Sequence, residues 1–132
     1  MRRLWQWAPA VLWACAIWDF SGTSFSSAPR SRFILPLLRW LLPHAGQATL
    51  EALHLAIRKS GHVAEYYILT LLVLRALGVT RGGWKLATAL LALAMVAAYS
   101  GIDEFHQSFV PDRGPSAWDS LLDTSAAALA LL

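Results

Sequence analysis

Four long apolar runs and a shorter fifth, separated by brief polar punctuation, set the plan of this chain. Leu4–Phe20 is seventeen residues broken only by Gln6 and the terminal Asp19, a length at the lower limit of a membrane-crossing helix. Ser21–Arg32, rich in serine and containing Gly22 and Pro29, reads as a loop. Phe33–Leu42 is apolar but holds Pro36, is followed by Pro43 and is interrupted by Arg39. Ten residues rising about 1.5 Å each cannot cross a hydrocarbon core of roughly 30 Å. An interfacial or re-entrant segment anchored by Arg39 and Trp40 is expected there. Ala48–Lys59 sets Leu50, Leu53 and Ile57 on one helical face with Glu51, Arg58 and Lys59 elsewhere, the pattern of a surface-lying amphipathic helix. Ser60 then serves as N-cap of a span from about His62 that stops at Gly78. Trp84–Ile102 is the cleanest span, nineteen residues apolar apart from Lys85 and a few hydroxyls. The turn 111–115 leads to Ser116 and Asp119, spaced as a capping box that opens a last helix over Ala117–Leu132.

Composition strengthens the membrane reading. Of 132 residues, 57% are apolar and 14% charged, too lopsided for a small soluble domain. The expected fold is therefore all-α and polytopic: one domain over 1–132 with spans near 4–20, 62–78, 84–102 and 117–132. The net charge of +3 does not point to nucleic acid, because the basic residues are scattered and form no stripe with interleaved aromatics. They act as topology signals. Arg2 and Arg3 ahead of the first run, and Arg75, Arg81 and Lys85 around the turn Val79–Gly83, predict cytoplasmic termini. Asp103 and the starts of the second and fourth spans then face outward. Trp5, Trp7, Trp18, Trp84 and Trp118 lie near span ends, as an aromatic belt requires. Ala14-Cys15-Ala16 fits a signal-peptide cleavage site, but Pro9 and Trp13 precede it and the apolar run continues beyond, so an uncleaved span is preferred. Cys15 is the single cysteine, which leaves no internal disulfide. No internal repeat supports an alternating-access transporter.

Candidate chemistry concentrates in Tyr99–Arg113. Asp103, His106 and Gln107 fall at i, i+3 and i+4, a spacing that puts them on one side of a helix. A carboxylate that orients an imidazole suits general acid/base work or metal ligation. His62, one turn from Tyr66, would add a second imidazole from the second span. These donor types suit a divalent metal such as zinc or manganese, and neither the metal nor an enzymatic reaction is specified by the spacing. Arg113 could clamp an anionic group, and it is also the nearest partner for Asp123, a carboxylate one turn inside an apolar helix. Asp119 is accounted for by capping alone, and Glu104 points off the face of Asp103 toward solvent. A wet interface whose polar groups satisfy one another would use the same residues.

The run Asp103-Glu-Phe-His-Gln-Ser-Phe-Val-Pro-Asp-Arg113, followed by Asp119 and Asp123-Thr124, resembles the signature of the VanZ-like membrane proteins. Lys59-x-x-His62-x-x-x-Tyr66 and the serine-rich loop Ser21–Ser27 resemble two further blocks of that family, so the likeness covers nearly the whole chain. Two positions depart from it: Asp112 stands where Gly is usual, and Ser125-Ala126 where a Gly-containing pair is common. The resemblance implies a small protein of the bacterial cytoplasmic membrane, from a family named for a member associated with resistance to the glycopeptide teicoplanin. It names no reaction. Two functions follow as expectations. In one, Asp103, His106 and His62 act on a lipid-linked or cell-wall-derived anionic ligand held by Arg113, Gln107, Tyr66, Asp119 and Asp123. In the other, the same groups bind a lipid head group, an antibiotic or a partner protein without chemistry.

Overall fold

The computed structural model describes residues 2–21, 27–79, 83–109 and 116–132. The described residues form five helices and no strand: α1 (Arg2–Ser21), α2 (Ser27–Leu41), α3 (Gln47–Ala76), α4 (Leu86–Gln107) and α5 (Ala117–Leu129). The all-α expectation is met. The turn 111–115, and with it Arg113, lies outside the described residues.

Two element boundaries differ from expectation. The amphipathic segment and the second span are one continuous helix, the 30-residue α3. Ser60 does not cap a helix there; its hydroxyl bonds back to the Ala56 carbonyl at 2.9 Å, one turn earlier. Ser-Gly is a weak local signal for a break, and packing of both halves overrides it: α2 lies on α3, and α1, α4 and α5 do so as well. Helix α2 begins at Ser27, inside the expected loop, and runs through Pro36. Pro36 removes one backbone donor from the ladder, and the helix bears that loss. At the other end of α3 the expectation holds. Gly78 takes φ +85°, a left-handed conformation that glycine adopts without strain, and its N–H closes on the Arg75 carbonyl at 3.1 Å.

Helix α5 packs between α3 and α4. The buried core gathers Ile17 of α1, Tyr66, Leu69 and Val73 of α3, Ala92 and Val96 of α4, and Ala126 and Ala127 of α5. Small residues let these helices approach closely; of the pair Ser125-Ala126, which stands where a Gly-containing pair is common, Ala126 is buried in this packing and Ser125 is exposed, its hydroxyl donating to the Leu121 carbonyl at 2.7 Å. Only α4 among the described helices is both long and apolar enough to cross a membrane, with 22 residues and a mean hydropathy of 1.7. Helix α5, with 13 residues, rises only about 20 Å, short of a hydrocarbon core of roughly 30 Å.

Beside the apolar core, large apolar side chains also cover the outside and a set of polar groups lies within. Trp5, Leu12, Trp40, Leu91, Phe105, Phe109 and Trp118 are exposed, whereas Ser100, Asp103, Gln107 and Asp123 are buried.

Candidate functional site

The buried polar groups meet at one level, where the last residue of α1, the middle of α3, the C-terminal turns of α4 and the start of α5 converge. Asp103 is the centre, with a relative exposure of 0%. Its Oδ2 accepts three hydrogen bonds, from Ser21 Oγ of α1 at 2.9 Å, Tyr66 Oη of α3 at 3.1 Å and Gln107 Nε2 of α4 at 2.7 Å. One carboxylate oxygen thus ties three helices together. Its Oδ1 is equally buried and takes no hydrogen bond among the described residues.

A second carboxylate lies beside the first. Asp123 of α5, also fully buried, accepts from Ser100 Oγ at 3.1 Å, and its Oδ1 stands 3.6 Å from His62 Nδ1. That separation makes an ion pair when the imidazole is protonated. Ser100 Oγ also lies 3.1 Å from Ser120 Oγ, which joins α4 and α5. Arg113, offered by the sequence as one possible partner for Asp123, lies outside the described residues; among those described, Ser100 and His62 meet Asp123. Ser100 precedes Asp103 by three positions and Gln107 by seven, so these side chains share one stripe. The spacing was open to reading from the sequence.

His106 does not join Asp103. Helical positions advance roughly 100° per residue, so Gln107 turns to one side of Asp103 and His106 to the other. The imidazole stacks on Trp18 of α1, ring centroids 3.9 Å apart and 14° from parallel. Its Nδ1 is buried without a hydrogen bond among the described residues. The expected Asp103–His106 dyad is therefore replaced by an Asp103–Gln107 pair and a His106–Trp18 stack.

Glu104 corrects another expectation. It is buried rather than solvated, and its Oε2 accepts the Ser116 backbone N–H at 2.8 Å. Ser116 caps α5 as anticipated, its Oγ accepting the Asp119 N–H at 3.2 Å. The reciprocal half of the capping box, which Asp119 was expected to supply, comes from Glu104 one helix away. The Asp119 carboxylate is thereby free to take Lys59 Nζ at 2.7 Å. Ser21, Ser100, Ser120 and Glu104 were missed as site residues; helical spacing could have found Ser100, whereas Ser21 lies 82 positions from Asp103 and no local pattern connects those two.

Among the described residues no group of three or more His, Cys, Asp and Glu side chains is placed to hold a metal.

Buried carboxylates and an imidazole inside small-residue helix packing, beneath an exterior of large apolar side chains, define a helical protein organised around an ionisable centre in apolar surroundings. The chain belongs to the VanZ/LLP1 family, whose model matches residues 7–132. No curated protein and no solved structure matches it.

Proposed function

We propose that the chain is a single-domain, polytopic membrane protein of the bacterial cell envelope. In this reading α1, the second half of α3, α4 and α5 are embedded in the bilayer, both termini are cytoplasmic, and the Asp103 centre opens outward. There it acts on the polar head of a lipid-linked or cell-wall-derived anionic ligand. His62 and His106 are its acid/base groups, Asp103 and Asp123 set its charge, Tyr66 and Gln107 fix Asp103, and Arg113 is the cation that holds the anionic group. The observation that carries this reading is the Asp103 carboxylate, fully buried and bonded from α1, α3 and α4. An ionisable group held within apolar helices is costly, and such groups are kept where they serve a polar ligand or a proton path. The link to glycopeptide resistance is supported by family membership alone.

A teicoplanin-sensitive bacterium expressing the wild type should tolerate more antibiotic. Asp103→Asn, His62→Ala and His106→Ala should each remove that gain at unchanged membrane abundance. Abundance falling together with tolerance would make the cluster structural, and no gain from the wild type would sever this member from resistance.

A second reading, binding without chemistry, is favoured by the absent Asp103–His106 bond, since among the described residues no carboxylate bonds the Nδ1 of that imidazole. Tryptophan-fluorescence titration of the purified protein with candidate ligands, alongside product analysis, separates binding from turnover.

A further inference from the structure

We propose that His62 and Asp123 form a proton-operated latch, which holds α5 against α3 while the imidazole is charged and loosens it once the imidazole is neutral. The latch adds a regulation to the site proposed above and rests on that reading only for the access of outside protons to the pair. Asp123 is fully buried. One of its oxygens accepts from Ser100 Oγ at 3.1 Å, and Oδ1 takes no hydrogen bond among the described residues. His62 Nδ1 faces Oδ1 at 3.6 Å, and the two side chains are 7% and 0% exposed. That gap is too wide for a hydrogen bond between nitrogen and oxygen, which ends near about 3.2 Å. Charge is what can join them, and only the protonated imidazole carries it.

The charges around the pair leave that role to His62. On α5, Asp119 is held by Lys59 Nζ at 2.7 Å and also lies in electrostatic range of Arg58 and His62. On α4, Asp103 lies in electrostatic range of His62, and the three hydrogen bonds it accepts come from uncharged groups. Glu104 of the same helix accepts the Ser116 N–H. On α3 itself, Tyr66 lies in range of both Asp103 and Asp123, and Glu65 in range of Tyr99. Cys15 and Asp19 of α1 and Arg39 of α2 are exposed. Among the described residues, two buried carboxylates thus share one titratable cation. With His62 neutral, Asp123 is a buried charge without a counter-charge, a costly arrangement. With His62 charged, a small turn of the imidazole reaches the short contact of a charge-assisted hydrogen bond.

The pair sits where it can govern α5. That helix has 13 residues and buries Asp123, Ala126 and Ala127, so the seating of Asp123 is a large part of its hold. The Lys59–Asp119 pair keeps its charge across neutral pH, which leaves His62–Asp123 as the pair between α3 and α5 that responds to it. The polar groups also stop here. Thr70, one turn beyond Tyr66, gives its hydroxyl to the Tyr66 carbonyl at 2.8 Å, and the core of Val73, Val96, Ala126 and Ala127 follows. A proton taken up is held, not passed on.

Hydrogen exchange of the full chain in phosphatidylcholine nanodiscs, corrected for the chemical exchange rate, tests the latch. Protection of the first turns of α5 should be high at about pH 6 and fall about tenfold or more by about pH 8, since one linked proton changes an opening equilibrium by up to about tenfold per pH unit. The first turns of α4 should not follow. His62→Gln, which cannot take the proton, and Asp123→Asn, which removes the charge it would meet, should each abolish the difference between the two pH values; the second serves should the first fail to fold. Lys59→Gln should lower protection at both pH values and keep the dependence. Equal protection of wild-type α5 at both pH values, better protection at the higher one, an equal fall in α4, or a dependence that survives both latch variants overturns the proposal. A pH-independent α5 together with Asp103-dependent antibiotic tolerance would reject the latch and keep the functional reading; a His62-dependent α5 without any phenotype would do the reverse.

Discussion

Asp103 shows how much one atom can organise. Its Oδ2 collects donors from three helices, and removing it leaves three polar groups without their partner. Each such loss costs on the order of 1 kcal/mol or more. Asp103→Ala should therefore destabilise the purified protein by roughly 3 kcal/mol, whereas Asp103→Asn, which keeps an accepting oxygen, should cost about 1 or less. Detergent-solubilised protein unfolded by increasing dodecyl sulfate measures both; equal losses would mean that charge, not hydrogen bonding, secures the site. At this scale the sequence was legible where neighbours lie one turn apart. Tyr66 with His62, and Gln107 with Asp103, follow from helical spacing. Ser21 and Glu104 did not, because their partners are set by how helices pack. Sharing a side of a helix was also too coarse a criterion for His106, since the angle between Gln107 and His106 sends one inward and the other onto Trp18.

Among the elements, α3 and α5 test whether local capping chemistry decides a helix start. Both hold a serine where the sequence suggests an N-cap. Ser116 caps, accepting the Asp119 N–H while Glu104 takes the Ser116 N–H; Ser60 lies inside α3 and bonds to Ala56. Ser116→Ala should accordingly cost about 1 kcal/mol, the usual loss for an N-cap. Ser60→Ala should be neutral or slightly stabilising, because alanine is the better residue within a helix. The same unfolding assay reads both, and a comparable loss at Ser60 would restore the break expected between the amphipathic segment and the second span. The apolar runs made α1, α4, α5 and both halves of α3 visible in outline, whereas α2 was read as a loop followed by an interfacial or re-entrant segment. What they could not carry was continuity, since a Ser-Gly step or an internal proline costs a helix only a few kcal/mol, which tertiary packing can offset.

For the molecule as a whole, the apolar exterior makes a claim about solvent that a single position can test. Leu91 lies two residues from the middle of the apolar stretch Trp84–Ile102, with half its surface exposed (50%). If water covered that face, Leu91→Arg would be an ordinary surface change, within about 0.5 kcal/mol. If lipid covers it, an arginine near the centre of a spanning helix costs roughly 2.5–3.5 kcal/mol on insertion. The expected result is a marked fall in the fraction of Leu91→Arg protein that stays with membranes after alkaline carbonate washing, while wild type remains there. Ile102, likewise exposed but near the polar end of α4, supplies the internal control. Ile102→Arg should be better tolerated, because a long cationic side chain one turn from the interface can reach water. A depth-dependent penalty of this kind arises only where the solvent changes along the helix, whereas equal tolerance at both positions would place α4 in water and reject the membrane reading of the fold.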